Sequence, residues 1–465
     1  MNIIKTLQIL LLVIFINFSV QAKPLKVSET QIKNSVLNNY PLILAGYDKI
    51  EANKGKLQSS NGAFDIKLKQ EYLDYSRGFY DGKIAKTTFE KQNNFLGSSV
   101  YGGYRKSSGE FEDYENKRKT AKNGEFFAGV NLPLLQGRAI DQNRLGVMLA
   151  RYDFKESKIV LDKIRIKIQQ DALKAYWNWI STANIYKTYD SLYKLSQLRD
   201  KQLRQREKNG DIAEIIVVEN KQNLLTRKNQ SIRALMDFKN SSIYLSLFYR
   251  DNLGQPIILD DENLPNIDFS TSTQEYKHNL ESDIENALGN RAEVALIRLN
   301  RKRQTANLNY SENLLQPELD LNFEASKDTG SSPDSISQSR NTVGVKFTIP
   351  LQFSKAKGQI KQARSELSAI SYEEKNIKDS IKVELRQIHT SIINSTKMLK
   401  NLKEEVLLAH RLEQAERQKF KLGSSNFFLV NYREQISANS KIKKITAWQK
   451  LQDFKTDYKA ARFNF

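Results

Sequence analysis

The sequence predicts an α+β chain in which alternating strands run into very long helices, and three observations carry that reading. In Thr342–Leu351, Val343, Val345, Phe347, Ile349 and Leu351 alternate with Gly344, Lys346, Thr348 and Pro350. That is the period of a strand with one apolar face. Pro350 has no N–H to donate and ends the ladder. A helical pattern follows at once, and the order of strand, proline and long helix occurs twice in the chain.

Composition narrows the class. The chain has 465 residues and no cysteine, which excludes a disulfide framework, a thiolate metal site and a cysteine-borne lipid anchor. Met1–Ala22 reads as a signal peptide: Lys5 is the positive start, Leu7–Phe18 the apolar core and Val20-Gln21-Ala22 the cleavage site. That apolar run is short for a membrane span. No later run approaches the length of a transmembrane helix, so any passage through a membrane falls to strands. The formal net charge is +20. The basic residues, as in Arg298-Leu299-Asn300-Arg301-Lys302-Arg303 and Lys441-Ile442-Lys443-Lys444, are spread along helices and interleaved with acids. They read as solvated helix faces rather than a nucleic-acid footprint.

Taken in order, Lys23–Gln58 reads as a short helix after a polar start. Phe64–Tyr72 alternates and gives a first strand near 63–73. Asp81–Asn123 is rich in Gly, Ser, Lys and Asn and reads as a long loop, with one short strand-like piece at Ser99–Tyr104. Phe126, Ala128, Val130, Leu132 and Leu134 alternate with small or polar residues and give a strand near 125–135. Gly137-Arg138 then marks a bend into a helix from about Ala139 to Lys208. At the usual rise that is on the order of 100 Å. Asn209-Gly210-Asp211 interrupts it, and a helix follows over about Ala213–Leu247. Tyr249–Asn266 is a linker.

The second half repeats the order. A helix is expected over Asp283–Leu315, strands near 318–326 and 342–351 on either side of a polar loop, and a helix over about Gln359–Lys421. In that last helix Ile381, Leu385, Ile388, Ile392, Leu399, Leu402 and Val406 follow a heptad seam, with Ser395 filling one slot. The matching stripe in the first half is Leu173, Trp177, Ile180, Ile185, Tyr189 and Leu192. The two repeats, about 30–265 and 280–463, agree best at their breaks. Arg204–Gly210 matches Arg417–Gly423, each ending at a glycine able to turn the chain at a helix end. Each is followed by an apolar cluster, Ile215–Val218 in one and Phe427–Val430 in the other.

Four alternating strands cannot close a membrane barrel, which needs about eight or more, because an open edge in lipid leaves backbone groups unpaired. If they span a membrane, the protein is an oligomer. In this doubled order the chain resembles the TolC-type outer-membrane channels, or outer-membrane efflux proteins. The residues carrying the resemblance are Asn39-Tyr40-Pro41-Leu42 and its counterpart Asn290-Arg291-Ala292-Glu293, with Leu132–Arg138, Gln316-Pro317-Glu318-Leu319 and the two glycine turns. The resemblance implies an α+β membrane protein. In it, four transmembrane β-strands per chain join a trimeric, 12-stranded β-barrel in the outer membrane, continued by a long α-helical coiled-coil barrel through the periplasm. It implies a homotrimer that docks on an inner-membrane pump through a periplasmic adaptor and serves efflux or type I secretion.

By the same resemblance the glycine turns are periplasmic tips in contact with the adaptor. Gly210, Asp211, Ile212 and Ala213 form the first, and Gly423, Ser424, Ser425 and Asn426 the second. Many members carry acidic residues six and nine positions after the second tip glycine. Those positions here are Leu429 and Tyr432, with Asn431 and Arg433 beside them. The gate candidates Leu429, Asn431, Tyr432 and Arg433 therefore imply an apolar or basic constriction. The three histidines, His278, His389 and His410, have no metal-ligand spacing. No phosphate loop, nucleophile elbow or carboxylate pair is present, so neither an enzyme nor a cofactor is expected. A soluble periplasmic coiled-coil scaffold or adaptor protein is the competing reading. It accounts for the long helices and the signal, but not for four strands of near-spanning length with one apolar face each.

Overall fold

The computed structural model describes residues 26–75, 81–111, 119–267, 269, 279–331, 339–463 and 465. The expected signal peptide lies outside them. The described helices are α1 (Glu29–Asn39), α2 (Pro41–Asn61), α3 (Gln142–Lys208), α4 (Glu214–Ser246), α5 (Leu280–Asn290), α6 (Ala292–Asn313), α7 (Ser354–Lys421) and α8 (Phe427–Ala461). The strands are β1 (Lys67–Asp74), β2 (Gly82–Gln92), β3 (Ser99–Gly109), β4 (Glu125–Pro133), β5 (Glu318–Asp328) and β6 (Ser339–Thr348). The described chain forms two compact units, built from Met1–Pro41, Ile168–Lys277 and Ile388–Tyr458, and from Leu42–Lys167, His278–Gln387 and Lys459–Phe465.

The second unit holds the sheet. Its six strands pair in chain order, every neighbour antiparallel. This corrects the expected four strands and the expected loop over 81–123: β2 and β3 lie there, and the strand-like piece at 99–104 extends to Gly109. Glycine and lysine content hid them, because strand preference depends on cross-strand neighbours more than on the residue alone. The glycines serve close approach. A Cβ at Gly103 would stand 1.9 Å from the Thr87 carbonyl oxygen, and one at Gly129 would stand 2.4 Å from the Tyr101 ring. The first strand starts at Lys67 rather than near 63, because Gly62–Phe64 closes a 3₁₀ turn.

Strand-to-helix junctions are local constructions. After β4 the chain turns at Gly137, at φ +85°. Asp141 then accepts from the Asn143 and Arg144 amides at 2.8 and 2.9 Å, capping α3. The Asn39–Leu42 and Asn290–Glu293 motifs fall at equivalent places. Tyr40 and Arg291 are each single extended residues between two helices. At Tyr40 the following Pro41 enforces this, and the single helix expected over 23–58 is corrected to α1 and α2; at Arg291 no proline announces the break, and the single helix expected over 283–315 is corrected to α5 and α6. The basic run at Arg298–Arg303 is also less solvated than its composition suggests. Arg301 pairs with Glu374 at 2.7 Å, and Arg303 with Asp153 at 2.8 Å and Glu156 at 2.5 Å.

The first unit packs helices around aromatic rings. Leu173, Tyr176, Trp179, Ile180, Leu245, Ile392, Leu399, Leu451 and Tyr458 are fully or almost fully buried there. Trp177 and Trp448 meet edge to face with centroids 5.7 Å apart. The α7 seam is buried at Ile381, Leu385, Ile392, Ser395 and Leu399 and half-buried at Ile388, Leu402 and Val406. Among the described residues no helix is long and apolar enough to cross a membrane.

Candidate functional site: the paired helix turns and the two-faced sheet

Both glycine turns are Schellman motifs of the same construction. In the first, Gly210 N–H donates to the Glu207 carbonyl at 2.9 Å and Asp211 N–H to the Arg206 carbonyl at 2.9 Å. In the second, Gly423 donates to Phe420 at 3.1 Å and Ser424 to Lys419 at 2.9 Å. The two glycines have φ +79° and +75°, where a side chain strains the backbone. Nothing lies within 4 Å of either would-be Cβ, so packing does not demand glycine at either position. The exits differ: Asn426 caps α8 by accepting from the Leu429 amide at 2.9 Å, whereas Ala213 offers α4 no side-chain cap.

An apolar cluster joins the two turns. Leu203, Val217 and Phe427 are its buried members, with Ile212, Ile216 and Phe420 packed against them. This sorts the expected tip residues. Gly210, Asp211, Ala213, Gly423, Ser424 and Asn426 are exposed. Ile212 turns inward, and Ser425 is half-buried with its hydroxyl donating to Glu416. Of the eight expected adaptor-contact residues, these two are the partly buried ones: an apolar side chain beside the cluster packs onto it, and the Ser425 hydroxyl is held by Glu416.

The gate candidates divide as well. Leu429 and Tyr432 are exposed, and the Phe428 and Tyr432 rings stack with centroids 6.4 Å apart. Arg433 is half-buried. Asn431 is buried, and its Oδ1 accepts from Arg199 at 2.7 Å. It is a packing residue within the helices, not part of an open face.

Asn431 belongs to a charge network that sequence reading missed. Glu434 of α8, 1% exposed, receives arginines from three other helices. Arg199 of α3 forks onto it, with one contact at 2.8 Å; Arg227 of α4 reaches it at 3.1 Å and Arg417 of α7 at 3.1 Å. Arg227 is itself buried and donates to Ser196 Oγ at 2.6 Å and to the Asn431 carbonyl at 3.2 Å. The Arg199 guanidinium also lies 5.1 Å from the Phe427 ring, which ties the network to the apolar cluster. Burial pushes the Glu434 carboxyl up, but the Arg199 hydrogen bond and the three positive charges outweigh it and hold the group below the usual carboxylate range. Arg227 is lowered by burial, which Glu434 offsets in part.

One carboxyl in the same unit shows the opposite balance. Asp453 is pushed up to about 7 by burial, with Asp457 adding to the rise and Lys174 opposing it. Lys174 is engaged with Asp457 at 2.6 Å, and Asp453 Oδ1 has no hydrogen-bond partner.

The sheet has two chemically distinct faces. Following the pairing across it, Leu68, Phe89, Gly102, Ala128 and Ala325 share one face with Val100, Val130, Phe323, Val343, Val345 and Phe347. The large members of this face are exposed, Val343 at 67% and Val345 at 66%. The other face carries Lys69, Glu90, Tyr101, Glu324 and Asp320, along with Lys86, Arg105, Glu125 and Arg340. On it Arg105 donates to Glu125 and reaches Glu324 at 3.4 Å, and Tyr101 donates to Glu324 at 3.2 Å. Among the described residues no group of three or more histidine, aspartate or glutamate side chains is placed to hold a metal ion.

A meander sheet whose strands run into long, turned-back helical hairpins, twice per chain, is a fold that this chain shares with solved outer-membrane channels. Three solved structures carry that likeness. The outer membrane protein VceC from Vibrio cholerae matches at a TM-score of 0.67 and 12% identity, over 94% of this chain and 96% of that one. The Campylobacter jejuni CmeC outer membrane channel matches at 0.65 and 11%, over 93% and 85%. The Neisseria gonorrhoeae MtrE outer membrane channel, in its open state, matches at 0.66 and 11%, over 94% and 89%. No protein-family model and no curated protein matches the sequence.

Proposed function

We propose that this chain is the protomer of an outer-membrane export channel that passes substrate passively as the exit duct of a multipartite efflux or type I secretion system. The observation that carries the reading is the sheet: one face is apolar and exposed from edge to edge, and the other is charged. That is the pattern of a barrel wall with lipid on one side and water on the other. The protein works as a homotrimer in contact with outer-membrane lipid. The exposed tip residues Gly210, Asp211, Ala213, Gly423, Ser424 and Asn426 meet a periplasmic adaptor, which links the duct to an inner-membrane pump that supplies the energy. Leu429 and Tyr432, with Arg433 beside them, narrow the passage.

Fractionation followed by light scattering and negative-stain imaging of the detergent-purified protein tests this. Sedimentation with outer membrane and a trimeric ring-shaped particle are expected. A detergent-independent monomer in the periplasmic fraction would instead support the scaffold reading, for which the exposed apolar face of the sheet offers no explanation.

A further inference from the structure

The added hairpin changes what closure requires. β2 and β3 are each 11 residues long, the length that crosses a membrane as a tilted strand. They stand between β1 and β4, and the pairing register carries both faces through them, with Lys83, Lys91 and Lys106 at the strand ends of the apolar face and Ile84 on the charged one. On the apolar face Leu68 pairs with Phe89, Phe89 with Gly102 and Gly102 with Ala128. On the charged face Lys86 pairs with Arg105 and Arg105 with Glu125. The hairpin is therefore wall, not a flap laid over it.

Two edges remain. Among the described strands β1 pairs only with β2, and β6 only with β5. The apolar face reaches both edges, through Leu68 and Tyr72 on one and Val343, Val345 and Phe347 on the other. An edge left open in lipid forfeits several kcal/mol per unpaired backbone group. An even number of antiparallel strands leaves β1 and β6 running in opposite directions. A copy related by rotation about a barrel axis therefore presents its β1 antiparallel to β6, with apolar faces on the same side. The occupant that fits each edge is a second copy of this chain.

We propose that three copies close an eighteen-stranded barrel through β6-to-β1 seams, six strands from each, in place of the twelve-stranded barrel that the resemblance implies. This rests on the trimeric channel reading. At a strand spacing near 4.8 Å and a tilt of about 40°, eighteen strands enclose a backbone diameter of about 36 Å, against about 24 Å for twelve. The outer-membrane passage is thus about 1.5-fold wider, and the hairpin is the device that widens it.

The chain's lack of cysteine makes disulfide mapping clean. Within one copy β1 and β6 are five strands apart, about 24 Å, and β1 and β4 are three apart, about 14 Å, so neither pair can link internally. Lys69→Cys is combined with Lys346→Cys, and with Gly344→Cys or Thr348→Cys to sample the register. All these positions lie on the charged face. Oxidation in membranes should give dimers and trimers on non-reducing gels. Lys69→Cys with Asn131→Cys should give no internal link, and imaging of the detergent-extracted trimer should count eighteen strands. A membrane-borne trimer that forms the internal Lys69–Asn131 link, or that shows twelve strands, overturns the eighteen-stranded barrel and leaves the channel reading standing. A soluble protein with no cross-link between copies overturns both.

Discussion

Glu434 holds arginines from three other helices, and its partners Arg199, Arg227 and Arg417 are scattered in the sequence. Removing the charge leaves Arg227 buried without its counter-ion. Glu434→Gln is expected to cost about 3–5 kcal/mol, read as a lowered midpoint in denaturant unfolding. The pH dependence follows from the sign of the shift. A carboxyl held below its unfolded value stabilises fully above about pH 4.3, and that contribution disappears as pH falls through the lowered folded value. Asp453 runs the other way. Its folded value of about 7 lies above the unfolded value of about 3.9, so the folded state binds the extra proton and stability falls as pH rises between the two. Asp453→Asn should stabilise the protein at pH 8 and flatten the melting temperature between about pH 4 and 7. A melting curve unchanged at pH 8 would count against it. None of these pairings was legible beforehand, because charged residues on long helices look solvated until the helices are packed.

At the scale of elements, the turns repay close reading. Gly210 and Gly423 stand where the sequence predicts helix-ending glycines, and both adopt the left-handed conformation. With open space around each would-be Cβ, a β-branched side chain costs backbone strain of about 1–2 kcal/mol rather than a clash. Gly210→Val and Gly423→Val are expected to abolish export, because they distort the surface offered to the adaptor, while trimer assembly survives. Export assays beside cross-linking of the trimer separate these effects, and full export from both variants would sink the adaptor role. The long helices α3, α4 and α7 are legible to within about five residues, since period and proline-free length are local signals, whereas the single-residue breaks at Tyr40 and Arg291 are not. Nor are the strands β2 and β3. Alternation in β2 is blurred by Ile84 on the charged face, and Gly102-Gly103 in β3 looks like loop until Thr87 and Phe127 are seen beside it.

For the whole molecule, the polarity of the sheet makes the sharpest demand. Val345 and Lys346 are adjacent in sequence and lie on opposite faces of β6. Val345→Lys places a charge on the lipid side at a cost of about 2–4 kcal/mol near the bilayer midplane. The yield of membrane-borne, heat-resistant oligomer should fall. Lys346→Gln, on the wet side, should leave that yield nearly unchanged. Equal behaviour of the two variants would mean that the sheet does not separate lipid from water.

The doubled order, the long helices, the turn glycines and the two-faced strands are legible in the amino-acid order, because periodicity, proline placement and left-handed glycine turns are properties of neighbouring residues. Tertiary structure alone decided three things. It turned Ile212 and Asn431 inward, gathered three arginines around Glu434 and set six strands rather than four in the sheet. Each depends on which distant backbone or side chain lies alongside, and no local pattern records that.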